Sequence, residues 1–200
     1  MTDFQTRIVT KGGRIRFSFV HVFEPHQMEK NGQKIGQPSY SVQILIRKDD
    51  TENIELIKAG MAAAFQKGLK EKWNGVRPAE LRNPLKDGDL SDHTKRPEHA
   101  GHFWMNVTMA AFDKTGAPKP KPVVVNAGLT RITDPVDFYS GCFGNISINF
   151  YPYNTLGNGV SAGLQNIQKT ADGENLGGGN GNPAADFGDA STAEASNDFF

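Results

Sequence analysis

The sequence has little that would place it outside a reducing compartment or in a membrane. Its one cysteine, Cys142, excludes an intrachain disulfide. No apolar run approaches the roughly 20 residues needed to cross a bilayer. Residues Met1–Gln5 lack the basic start and apolar stretch of a secretory signal. We therefore expect a cytoplasmic protein without membrane attachment.

Motifs of nucleotide chemistry are also scarce. There is no phosphate-binding P-loop, and Gly157–Gly159 lies between predicted strands, which indicates a turn. Asp87, Asp89 and Asp92 could gather a divalent metal for a nuclease. The fuller metal-loop pattern is missing, however, and Asp-Gly-Asp is a common turn. A metal-dependent nuclease therefore stays an alternative, and we expect no enzyme.

The sequence has few residues that could form a zinc site. His93, His99 and His102 lie close together in the sequence, but the lone Cys142 is far away and there is no second cysteine to complete a zinc set. A small buried strand residue explains that cysteine better than a nucleophile does. We expect neither a metal nor a cofactor.

Basic residues are absent from the last thirty positions, although the formal net charge is zero. All 22 Lys and Arg precede residue 170, whereas 6 of the 22 acids follow it, so the body carries +6 and the tail −6. A basic body attracts polyanions, and a tethered acidic tail can compete for the same surface. A solubilising tail explains the same split equally well. The tail acids are Asp172, Glu174, Asp186, Asp189, Glu194 and Asp198.

The tail, residues 171–200, is rich in Gly, Asn and Ala and poor in branched apolar residues. Such a composition cannot offset the entropy of ordering, so we expect disorder there and one folded domain over residues 1–170. Asp198, Phe199 and Phe200 close the tail. Exposed rings beside acids are typical of a docking peptide, which predicts a partner-binding role for these three residues.

The body shows the period-2 alternation of half-buried strands. The segments Arg14–Phe23, Ser39–Lys48, Phe103–Phe112 and Asn145–Tyr153 are predicted strands, with shorter ones at Arg7–Thr10, Val123–Asn126 and Val160–Gln168. One face of each should pack a core while the other meets solvent or a ligand. The predicted core sides include Ile15, Phe17 and Phe19; Tyr40, Val42, Ile44 and Ile46; Phe103, Met105, Val107 and Met109; and Ile146, Ile148 and Phe150.

One amphipathic helix is predicted over Glu52–Trp73, capped by Asp49 or Thr51 and weakened at Gly60 and Gly68. Three strands would precede it and the rest would follow. This order favours a mainly β fold, an OB-like antiparallel barrel with the helix plugging one end.

The outward strand faces mix basic, amide and aromatic side chains, as single-strand binders require. Basic groups would meet phosphates, rings would stack on bases, and amides would bond base edges or sugars. A solvated sheet face gives the same pattern, and a one-residue register error would swap the faces. The predicted DNA-binding residues on the strands are Arg16, Arg47, Lys48, Trp104, Asn106, Asn149, Tyr151 and Tyr153.

Two loops add lysines to this prediction. Lys114–Pro122 is a proline-stiffened basic loop in which Lys119 and Lys121 could reach phosphates, although a solvated turn is an equal alternative. Gln33–Pro38, which contains Lys34 and follows Lys30, is a weaker case of a basic hairpin loop.

Three segments, Asn83–Asp89, Phe138–Cys142 and Gly159–Lys169, together resemble a bacteriophage OB-fold single-stranded-DNA-binding protein family. The resemblance covers roughly residues 5 to 175. It implies an OB fold, DNA binding without strong sequence preference, a role in phage replication or recombination in the host cytoplasm, and no catalytic residues.

The tail is similar to those of other phage and bacterial single-strand binders, which recruit replication proteins such as DNA polymerase, but its acids are more dilute. A scaffold protein with a polymerase-docking tail is a second alternative. The oligomeric state stays open, with a homodimer among the options.

Overall fold

The computed structural model describes residues 4–177. Within them the chain is mainly β, with one long helix, as predicted. The helix α1 spans Thr51–Glu71. The strands are β1 (Arg7–Val9), β2 (Ile15–Lys30), β3 (Gln33–Arg47), β4 (Lys86–Asp87), β5 (His102–Ala110), β6 (Val123–Val125), β7 (Phe143–Tyr153) and β8 (Gly159–Ala171).

Five strands close into a barrel in the order β2-β3-β5-β8-β7 and back to β2. Only the β5–β8 contact in this ring is parallel, with Thr108 opposite Gly163. A closed five-stranded barrel of this kind confirms the OB-like prediction. Along the chain, the helix α1 follows β3 and precedes β5, the second and third strands of the barrel. Outside the barrel, β1 pairs with β7 and β6 pairs with β8.

The barrel interior is filled by the alternate residues that the sequence pattern selects. The predicted core sides of β3, β5 and β7 are confirmed, because a closed sheet must bury one face of every strand. The largest fully buried side chains are Phe17, Phe138, Phe150, Ile15, Ile44, Leu45, Ile46, Ile57, Met105, Ile146, Ile148 and Leu164.

The helix agrees with its prediction in place but not in its cap. Asp50, rather than Asp49 or Thr51, is the N-cap, and its carboxylate accepts from the backbone N–H of Asn53. Gly60 and Gly68 do not break the helix. At Gly60, an added Cβ would lie 2.7 Å from the Phe150 ring, so the missing side chain lets α1 pack closely on β7.

The alternation predicted for Arg14–Phe23 is wrong at Phe19. The pairing of β2 with β3 shifts register between Ser18 and His21, and Phe19 has a φ of 47°. This bulge leaves Phe19 38% exposed, with the Arg96 guanidinium 4.3 Å above its ring. After the bulge, His21 lies on the outward side opposite Ser41.

The predicted Gln33–Pro38 loop is also wrong, because these residues belong to β3. The strands β2 and β3 continue beyond the barrel as a two-stranded arm, with Lys30 opposite Gln33. Asn31 and Gly32 form the turn with φ values of 53° and 75°, as expected for the Asn-Gly hairpin turn that matches strand twist.

Two connections complete the described fold. Residues 88–100, here called the covering segment, contain two short 3-10 helices at Gly88–Leu90 and Pro97–His99. After β8, residues 172–177 run back along the body, where Leu176 N donates to Ser140 O at 2.8 Å. Asp198, Phe199 and Phe200 lie outside the described residues. In residues 4–177, no helix has both the length and the apolarity to traverse a bilayer.

Candidate nucleic-acid interface

A continuous polar surface crosses four barrel strands. Ser41 on β3 is opposite Thr108 on β5, Thr108 is opposite Gly163 on β8, and Gly163 is opposite Asn149 on β7. Two strand spacings, about 10 Å, therefore separate β5 from β7. We call this surface the outer face; its members are Ser41, Gln43, Trp104, Asn106, Thr108, Asn149, Tyr151 and Gly163.

The ring of Tyr151 is the most available aromatic group on the outer face. It is 42% exposed and leans beside Gly163. Asn149 is half-buried and accepts a hydrogen bond from Thr6 Oγ1 at 2.9 Å. Tyr153 is also half-buried, with its hydroxyl packed against Gly159. Of the three predicted β7 residues, Tyr151 thus has the ring best placed to stack on a base.

Trp104 lies on the outer face as predicted, but the covering segment packs over it. Its ring stacks on His99 with centroids 4.9 Å apart, and its Nε1 donates to Ser91 Oγ at 3.2 Å. His99 Nε2 contacts Gln43 Oε1 at 2.8 Å, and Gln43 Nε2 donates to Asn106 Oδ1 at 3.2 Å. The predicted residues Trp104 and Asn106 are therefore the two ends of one hydrogen-bonded network.

The network fits a neutral His99. Because Gln43 Oε1 can only accept, His99 Nε2 carries the proton, and Nδ1 accepts from the Ser91 hydroxyl 3.0 Å away. His99 is only 2% exposed. Burial lowers the pKa of His99, with a smaller opposing effect from Glu98. The imidazole is a structural link between the covering segment and β3.

We expect the folded chain to lose stability as the pH falls below about 6.5, the ordinary pKa of histidine. With its lowered pKa, folded His99 binds fewer protons than unfolded His99 in this range, so acid favours unfolding. Thermal unfolding followed by circular dichroism between pH 7.5 and pH 5.5 measures the effect. His99→Gln should lower stability by about 1–3 kcal/mol, because it disturbs buried partners, and should flatten this pH dependence.

His93→Gln is the matched control, because His93 is exposed and its one side-chain hydrogen bond among the described residues is to the Gly88 carbonyl. Burial and neighbouring His26 lower the pKa of His21 in the same direction, so His21 accounts for the pH dependence that remains. An unaltered pH profile in His99→Gln would contradict the role given to His99.

Three predicted cations meet in one cleft at the end of the barrel. Arg16, Arg47 and Lys48 line a cavity of about 540 Å³ together with His102 and Phe143. Each cation already has a partner. Arg16 lies 5.6 Å from the Phe143 ring centroid and donates to the carbonyl of Glu174 at 3.1 Å.

The other two cations pair with carboxylates. Arg47 Nε donates to Asp49 Oδ1 at 2.9 Å, and Lys48 Nζ lies 2.6 Å from Asp87 Oδ1 and 2.5 Å from Asp89 Oδ2. The hydrogen bonds to Asp87 and Asp89 raise the pKa of Lys48, and the bond to Asp87 has the larger effect. A phosphate would have to exchange with carboxylates here, so the cleft is less open to DNA than the sequence suggests.

The nuclease alternative fails on the same contacts. Lys48 occupies the space between Asp87 and Asp89, and its hydrogen bonds lower the pKa of both carboxylates. Asp92 instead accepts from the Thr94 hydroxyl at 2.6 Å. Within residues 4–177, no three His, Cys, Asp or Glu side chains are grouped to hold a metal ion, which also leaves the histidine zinc set without support.

The predicted lysines of the Lys114–Pro122 loop are exposed beside the base of the arm. Lys121 Nζ donates to the carbonyl of Phe23 at 2.7 Å, and the backbone of Lys119 donates to Ala111 at 2.8 Å. The loop therefore continues from the end of β5 toward β2. Both ammonium groups reach solvent there, and their DNA role stays a prediction.

Sequence reasoning missed two histidines on β2. His21 and His26 stack with ring centroids 4.5 Å apart, opposite Ser41 and Ser39 on β3. They extend the outer face onto β2 and toward the arm. The register shift at Phe19 turns His21 outward, and simple alternation has no signal for such a shift.

Comparisons with known proteins agree with this architecture. A family model described as Enterobacter phage Enc34, ssDNA-binding protein, matches residues 6–200, and confirms the resemblance inferred from the sequence. Protein p50 of Acyrthosiphon pisum secondary endosymbiont phage 1 is 30% identical over 190 residues, which cover 92% of this chain and 95% of that protein.

Two solved structures share the fold. The single-stranded DNA-binding protein of bacteriophage Enc34 in complex with ssDNA superposes with a TM-score of 0.66 at 23% identity, covering 86% of this chain and 90% of that one. The single-stranded DNA binding protein gp2.5 of bacteriophage T7 gives a TM-score of 0.52 at 17% identity, covering 95% and 98%.

Proposed function

Because the chain belongs to the Enterobacter phage Enc34 ssDNA-binding protein family, we propose that it binds single-stranded DNA without strong sequence preference. The observation that carries the proposal is the exposed ring of Tyr151 on an amide-lined OB-barrel face. Any base can stack on such a ring, which makes the contact tolerant of sequence. Membership in a DNA-binding family also confirms that the chain is not an enzyme.

The outer face supports a path for the strand. In OB folds, oligonucleotides bind on the second and third barrel strands and on the loops that join strands 1 to 2 and 4 to 5. Here these elements are β3, β5, the β2–β3 arm and residues 154–158. The stacked His21 and His26 adjoin the first of these loops, and Tyr151 precedes the second.

Salt dependence tests the proposal. Fluorescence anisotropy of a labelled thymidine oligonucleotide should show log affinity falling linearly with log salt, by about 0.7 for each phosphate neutralised on a single strand. A duplex of the same length is the control for strand preference. Affinity that does not change with salt would contradict phosphate binding on this surface.

We further propose that the acidic tail competes with DNA for the basic body and recruits replication proteins during phage replication or recombination in the host cytoplasm. The described start of the tail supports competition, because the Glu174 carboxylate lies 3.9 Å from Arg16 Nη2 in the cationic cleft. The segment Asp198–Phe200 has the acids and rings of a docking peptide for a polymerase.

Deleting residues 178–200 should tighten oligonucleotide binding at low salt by roughly three- to tenfold, the combined effect of a few exposed ion pairs. The dependence on salt should also become steeper, because in the intact chain added salt weakens the competing tail as well as the DNA contact. The matched control keeps the tail length and neutralises its acids with Asp186→Asn, Asp189→Asn, Glu194→Gln and Asp198→Asn. Equal affinities for the intact, deleted and neutralised chains would remove the competition.

A further inference from the structure

An apolar pocket with a basic rim lies away from the outer face, between α1 and residues 77–84. Its volume is about 280 Å³, slightly below the range of drug-sized ligand sites, which suits one or two side chains. Met61 and Phe65 supply one wall from α1, and their spacing of four puts them on the same side of the helix. Leu81, Pro84 and the buried Val160 complete the apolar surface.

Three cations surround this pocket. Lys58, Arg77 and Arg82 are exposed at its rim, and its lining includes no acidic side chain. Arg77 lies 5.7 Å from the centroid of the Phe65 ring, so its charge is held directly over the apolar wall. Among the ion pairs found within residues 4–177, none involves these three side chains.

The other surface cavities differ in charge. The cleft that contains Arg16 and Arg47 also contains Asp49, which already neutralises Arg47. The groove across β7 and β8 has exposed Val9 and Leu129 at its sides but only one cation, Arg7. Of these three cavities of the described chain, only the pocket beside α1 combines an apolar interior with several cations that have no carboxylate partner.

The chain carries a segment with the complementary chemistry. Residues 178–200 have no Lys or Arg, and they have four acids and three phenylalanines. Asp198 directly precedes Phe199 and Phe200. A phenyl ring gains most by burial against apolar and aromatic groups, and Phe65 and Met61 offer both an edge for ring contact and a polarisable sulfur.

The segment is also long enough to reach the pocket. The 23 residues from 178 to 200 span at most about 80 Å when extended and about 27 Å as an average flexible chain. A domain of this size has a radius of gyration of only about 16 Å. Any point on the body therefore lies within reach of residues 197–200.

We infer that the pocket lined by Met61, Phe65 and Leu81 is a docking site for residues 197–200 of the same chain. A phenylalanine ring fills the apolar interior, and the Asp198 carboxylate meets Lys58, Arg77 or Arg82. The inference depends on the proposed tail role in one respect, since it treats residues 197–200 as a docking peptide. Docking here hides residues 197–200 from a protein partner, and the competition with DNA proposed above then falls to the tail acids that precede them, Asp186, Asp189 and Glu194.

Photo-crosslinking in the full chain tests the site. Phe200→p-benzoylphenylalanine keeps a ring at the position and adds a benzophenone that reacts with nearby C–H bonds, those of methionine most readily. After irradiation of a dilute sample, mass spectrometry of the monomeric product should locate crosslinks at Met61–Phe65 or Leu81–Pro84. Crosslinks on β3 and β5 would overturn the inference, as would crosslinks formed only between two chains.

Charge reversal at the rim is the second arm. Lys58→Glu with Arg77→Glu should reduce the crosslink yield at the pocket by about fivefold, the range expected for two exposed ion pairs lost. Lys67→Glu with Lys70→Glu is the matched control, since it makes the same change in net charge outside the pocket lining and should leave the yield within about twofold. Equal losses in both double variants would overturn the inference.

Two readouts keep this site separate from the proposed function. Thermal unfolding of each double variant establishes that it folds, and oligonucleotide anisotropy of the unmodified chain establishes DNA binding. Failure of DNA binding with crosslinks in the pocket would remove the proposed function and retain the docking site. DNA binding without crosslinks in the pocket would do the reverse.

Discussion

Tyr151→Ala is expected to weaken binding of single-stranded DNA by about 5- to 150-fold, because one base–aromatic stack contributes roughly 1–3 kcal/mol. The ring is 42% exposed on the outer face and carries no part of the barrel core, so the loss should be one of contact rather than of folding. Anisotropy titration with a labelled thymidine oligonucleotide measures the effect. The thermal midpoint should stay close to that of the unchanged chain.

Tyr151→Phe is the matched control, since it keeps the ring and removes only the hydroxyl. Its affinity should remain within about twofold, because stacking depends on the π-face that every base also has. If the alanine variant binds as tightly as the phenylalanine variant, stacking at this position is excluded. The strand would then have to follow another part of the barrel.

Much of this surface could be predicted because strand alternation is a local property. Inward Met105 and Val107 make Asn106 outward without any knowledge of the neighbouring strands. The same rule placed Asn149 and Tyr151 on the outward side of β7. Burial of one face of a closed sheet enforces a period of two, and the sequence shows that period directly.

Predictions failed where the backbone leaves that period. At Phe19 an extra residue enters β2 and turns His21 outward, and a second register shift between His21 and His26 brings both rings onto the same side. This is why His21 and His26 were missed, while Phe19 was wrongly given to the core. Bulges depend on how two strands twist around each other, so neighbouring residues carry only a weak signal for them.

Contacts between distant segments were also out of reach. His99 bonds Gln43 across 56 residues, and Lys48 holds Asp89 across 41. From the sequence, Trp104 and Lys48 therefore looked free to meet DNA, and the aspartates looked free to bind a metal. The structure shows that the covering segment lies over part of the outer face, where Trp104 and Lys48 form hydrogen bonds to it.

The covering segment depends on a glycine, so Gly88→Ala is expected to lower the stability of the chain by about 1–3 kcal/mol, the usual result of overpacking. A Cβ at Gly88 would lie 2.1 Å from the carbonyl oxygen of His99 and 2.5 Å from that of His102. Both are backbone atoms, so neither can rotate away. The covering segment would have to move off β5, and the His99–Trp104 stack would separate.

The thermal midpoint should fall by roughly 2–12 °C, since 1 kcal/mol corresponds to about 2–4 °C in a domain of this size. Oligonucleotide affinity should change with it, because the position of Trp104 on the outer face depends on Ser91 and His99. Gly128→Ala is the control, as its nearest contact would be the Asn126 side chain at 3.5 Å. If the Gly88→Ala and Gly128→Ala chains have the same thermal midpoint, the covering segment does not need this close approach.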